Sequence, residues 1–65
     1  MNCQKLIYIL KQNRCNPEHT LEYVYLNVLQ DAQYSAEARA FANNISPFLK
    51  EYGEMKLKDI YGLAD

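Results

Sequence analysis

His19 is the only histidine in the chain, and with Glu18, Glu22 and Cys15 close by in sequence it is the one place where a metal site could be assembled. Zinc takes three or four such ligands in tetrahedral array, and beyond His19 and its neighbouring glutamates Cys15 is the only plausible extra one. A histidine at the start of a helix is then read as an exposed side chain. The carboxylates recur as Glu18/Glu22 and Glu51/Glu54. Acid–base catalysis needs two carboxylates facing each other across a cleft with pKa values pushed apart. These spacings put each pair along one helix face, where it keeps that face wet. Neither Cys3 nor Cys15 has a histidine at an informative spacing, and no glycine-rich phosphate loop is present. A chain this short has little room for a pocket of roughly 300 Å³ beside a complete core. The expectation is a protein that is not an enzyme and carries no cofactor or metal.

The cations are few. Residues 1–17 hold Lys5, Lys11 and Arg14 and no acid, whereas the remainder holds eight acids against four cations, for a formal net charge of −1. That balance argues against a dedicated duplex-binding protein, which attaches through a basic surface. It leaves a basic first segment, with Arg39 and Lys50 further along, as a candidate nucleic-acid contact. Ala40 followed by Asn44-Ile45-Ser46-Pro47 resembles the turn of a helix-turn-helix within 36–52. The resemblance departs at Asn43 and Lys50, where that motif buries apolar residues, and Lys50 and Glu51 cancel on the short second helix.

The elements that would position these groups are helical. Cys3, Leu6, Ile7 and Leu10 form one stripe at helical spacing, with Ile9 on the far side beside Lys5, Tyr8 and Gln12. Asn16-Pro17 reads as a cap followed by proline at the first helical position, opening a helix over 17–32. That helix has an unusually wide apolar face: Leu21, Val24, Tyr25, Val28, Leu29 and Ala32, broadened by Leu26. Ser35 caps a third helix with Ala38, Phe41, Ala42 and Ile45 inward, and Ser46-Pro47 repeats the cap-and-proline signal for a fourth. Gly53 and Gly62 read as left-handed helix ends, with a last turn or two over 55–61. The expected fold is all-α, a small orthogonal bundle of four to five short helices in a single domain spanning 1–65.

Cys3 and Cys15 would lie ~18 Å apart along a helix, too far for a disulfide. Two free thiols, with no segment long enough to cross a bilayer and no cleavage signature, point to an intracellular, cytoplasmic protein without membrane contact.

At 65 residues the chain contains six tyrosines and no tryptophan. Tyrosine suits half-wet places, because its ring wants burial and its hydroxyl a polar partner. Tyr25, Tyr52 and Tyr61 fall inward by periodicity, whereas Tyr8 and Tyr23 point away from their stripes. A small chain without disulfide or metal gains stability from association. The leading expectation is therefore an interaction or regulatory module that binds a protein partner or itself as a homodimer, through Ile9, Tyr23, Leu26 and Tyr8. The alternative is nucleic-acid binding through Lys5, Lys11, Arg14, Arg39 and Lys50.

Overall fold

The computed structural model describes residues 3–63. Within them the chain is all-α: α1 Cys3–Gln12, α2 Leu21–Ala32, α3 Ala36–Ile45, a 3-10 turn Ser46–Phe48, α4 Leu49–Tyr52 and α5 Leu57–Gly62. The apolar stripe of α1 is buried as its spacing requires, with Leu6, Ile7 and Leu10 in the core. α2 and α3 form a helical hairpin, α1 packs on α3 and α5, and α4 packs on α2. Leu6, Leu10, Leu21, Ile45, Leu57 and Ile60 lie fully inside, so every long helix and α5 contributes to one contiguous core.

Two helix starts lock the bundle together. The first amides of an α-helix have no partner within it. Leu21 and Glu22 donate theirs to the carbonyls of Met55 and Gly53, at 3.0 and 2.9 Å. In return Leu57 and Lys58 donate to the carbonyls of His19 and Pro17, at 2.9 and 3.0 Å. The crossing includes an antiparallel bridge between Thr20 and Lys56. Glu18 reinforces it from the surface, 3.3 Å from Lys58 and 3.8 Å from Lys56.

This crossing moves the start of α2. Helix does not begin at Pro17: Asn16 instead folds a turn, its Oδ1 accepting from the Glu18 amide at 2.9 Å. The cap is Thr20, whose Oγ1 accepts from the Tyr23 amide at 3.1 Å. Ser35 caps α3 as the sequence implies, accepting from Ala38 at 3.2 Å. Ser46 does not act as a cap. It has helical dihedrals and no side-chain cap bond, because α3 runs directly into the 3-10 turn. Thr20→Ala is thus expected to cost ~0.5–2 kcal/mol, and Ser46→Ala close to nothing. Urea denaturation midpoints check this ordering; a larger loss at Ser46 would contradict it.

The glycines also differ from expectation. Gly53 has φ −56° and Gly62 ends α5 without a positive φ, so neither is a left-handed terminus. Leu63, which follows Gly62, is exposed and makes no apolar contact of the kind that accompanies a left-handed helix end. The left-handed residue is Arg14, at φ 52° just past α1.

Candidate functional site

The helix-turn-helix resemblance fails at its turn. Asn44 and Ile45 are both inside α3, Asn44 does not take a positive φ, and the 3-10 turn Ser46–Phe48 follows α3 with no residue between them. The motif needs a reversal there to present its second helix. The candidate cations do not form a free basic face either. Lys11 stands over the Tyr61 ring, 5.4 Å from its centroid. Arg39 Nη2 donates to the Ala32 carbonyl at 3.1 Å, satisfying the C-terminal end of α2. Lys5, Arg14 and Lys50 are exposed on α1, the following loop and α4.

The apolar candidates divide differently. Ile9 is three residues from Leu6, close enough around the helix to be half-buried against the core, so it is not an outward residue. Tyr8 is 56% exposed, with its hydroxyl accepting from Gln12 Nε2 at 2.8 Å. On α2, Tyr23 and Leu26 are 51% and 52% exposed. Leu29, assigned by its spacing to the buried stripe, is 42% exposed. The core is already filled by Leu21 and Val24 with Tyr25 and Val28 at its edge, which turns Leu29 outward. Tyr23, Leu26 and Leu29 succeed one another at three-residue steps and form one uninterrupted outward row.

Tyr23 is also the rim of a second feature. An open groove of about 510 Å³ runs between α2, α3 and the loop after α1. Its floor is apolar, made by Val24, Val28, Ala38 and Phe41. Cys15 borders it, half-buried, and burial pushes its thiol pKa up, so it stays protonated at neutral pH. Burial likewise raises the Tyr61 phenol, with a contribution from Cys15. At one end the His19 and Tyr23 rings lie 4.3 Å apart between centroids. His19 is therefore engaged with a ring, and Glu18 with two lysines. No group of three or more His, Cys, Asp or Glu side chains placed to hold a metal occurs among the described residues.

The shortness of the chain implied little room for a pocket of roughly 300 Å³, and a groove of about 510 Å³ is present because it lies open on the surface beside the core. The helices enclose a core, yet a groove stays open beside α2 and α3. Asp31 near the end of α2 and Glu37 in the first turn of α3 both line it. Two carboxylates bracketing the α2–α3 turn were the visible signal.

The fold and these surfaces define an all-helical domain whose available features are an apolar row on α2 and an acidic groove between α2, α3 and the loop after α1. A scan of family models finds no match, and neither curated proteins nor solved structures give a significant similarity. No helix among the described residues is long and apolar enough to cross a membrane.

Proposed function

We propose that this chain is a non-enzymatic interaction module of the cytoplasm that acts by protein–protein association, and that it associates with itself as a homodimer. The observation that carries this reading is the exposed row Tyr23–Leu26–Leu29 on α2. Three large apolar side chains in succession, left outside a core that is complete without them, are the kind of contiguous patch that marks an interaction site. A two-fold axis would set the row against its own copy, so each side chain would be buried twice. The nucleic-acid reading gains no support from the cations, of which Lys11 and Arg39 are already engaged within the fold.

Sedimentation equilibrium over a range of concentrations tests the proposal. The parent is expected to sediment as a dimer, and Leu26→Glu to shift the mass to that of a monomer with its helical circular dichroism retained. Leu26 is half exposed, so the fold itself has no need of it. A parent that remains monomeric at hundreds of micromolar overturns the homodimer.

A further inference from the structure

The groove between α2 and α3 differs in chemistry from the apolar row beside it. Its floor is Val24, Val28, Ala38 and Phe41, but its charged lining is of one sign: Asp31 and Glu37, with no lysine or arginine among the lining residues. The amides at its edge are neutral and carry both polarities. Asn27 donates its Nδ2 to the Tyr23 carbonyl at 2.8 Å, and Asn13 donates its Nδ2 to the Ile9 carbonyl at 2.8 Å. Each amide keeps its Oδ1 as an acceptor and a second Nδ2 hydrogen as a donor, whereas Asn16, also in the lining, accepts the Glu18 amide on its Oδ1 and presents its Nδ2. The neutral polar groups of the lining both donate and accept, so the sign of the site is set by its two carboxylates over an apolar floor.

Asp31 adds an independent observation. It occupies the last turn of α2, which carries no basic residue. A helix C-terminus favours a cation, which here comes from Arg39 of α3 on the Ala32 carbonyl, so Asp31 is not what satisfies this helix end. Such a placement is understandable where the carboxylate serves the surface it lines. The groove is also open along its length, which suits a chain segment better than an enclosed small molecule.

We infer that this groove docks a cationic amphipathic peptide segment of a partner protein, seating apolar side chains on Val24, Val28 and Phe41 and lysine or arginine against Asp31 and Glu37. Apolar anchors supply contact area, and the charges set register and exclude acidic competitors. The occupant is a partner other than this chain, whose own association uses the separate row at Leu26.

The test uses a fluorescent amphipathic Leu/Lys peptide and its Leu/Glu counterpart, titrated with the full chain and followed by anisotropy. The Leu/Lys peptide is expected to bind and the Leu/Glu peptide not to. Asp31→Asn with Glu37→Gln should weaken binding about tenfold. Glu51→Gln with Glu54→Gln removes the same charge elsewhere and should leave binding unchanged. Leu26→Glu should also leave it unchanged, whatever it does to the mass, which separates this inference from the homodimer. Equal loss from both double variants would mean simple attraction to an acidic protein and overturn the proposal. Binding of both peptides alike would also overturn it. If Asp31→Lys with Glu37→Lys dissociates a dimer of the parent, the groove is filled by a second copy and the inference fails.

Discussion

Leu21→Ala is expected to leave the chain largely unfolded at room temperature. Leu21 is fully buried and is the first residue of α2. Its side chain fills the core where its own amide crosses to the Met55 carbonyl. Truncating a buried leucine removes transfer free energy and leaves a cavity, together worth ~2–5 kcal/mol. A core in a chain of this size rarely supplies more than about 3–5 kcal/mol in total. Leu29→Ala provides the comparison, being the same substitution on the same helix at a side chain 42% exposed. In dilute solution, where the chain is a monomer, it should cost under about 1 kcal/mol, a few degrees of melting temperature in a domain this small. Circular dichroism melts of the two variants decide the matter. A cooperative Leu21→Ala transition within a few degrees of the parent would mean that the core does not depend on this crossing.

Gly53→Ala is expected to destabilise by ~1–3 kcal/mol, the range of a forced contact in packed structure. Helix propensity alone predicts the opposite sign, since alanine is favoured over glycine by roughly 1 kcal/mol wherever φ is helical. A Cβ added at Gly53 would stand 2.5 Å from the Leu49 carbonyl oxygen, to which the Gly53 amide also donates at 2.9 Å. The backbone cannot simply retreat. Its own carbonyl accepts the Glu22 amide at 2.9 Å, so a shift would loosen the start of α2 as well. Gly62→Ala meets nothing within 4 Å and should stabilise by ~0.4–1 kcal/mol. Chemical denaturation of the pair is informative because the predicted signs differ. Stabilisation of both would remove close approach as the reason for glycine at position 53.

Much of this fold was legible because local rules set it. The 3.6-residue period placed Leu6, Ile7 and Leu10 inward without reference to any other helix. Ser35 caps α3 because its hydroxyl meets an amide only three residues away. Two free, half-buried cysteines accord with their separation along the chain. Tyr23 and Leu26 stay outward, as their positions on α2 imply.

The rest depended on partners that spacing does not reveal. Asn16-Pro17 and Thr20 are both sound helix starts by local chemistry. Thr20 prevails because the amides just beyond it find the Met55 and Gly53 carbonyls, supplied from the other end of the chain. Gly53 is read locally as a left-handed terminus, yet it is needed for the closeness of Leu49 and Glu22. Leu29 has the spacing of a core residue and is turned out because Leu21, Val24 and their neighbours fill the space first. The groove belongs to no single helix. Its lining comes from α2, α3 and the loop after α1, and only their packing decides which side chains share that space. Short-range periodicity and capping thus determined which segments are helical and most of what they bury. Hydrogen bonds and volume shared between distant segments decided where α2 begins, which glycine is indispensable and what surface remains for a partner.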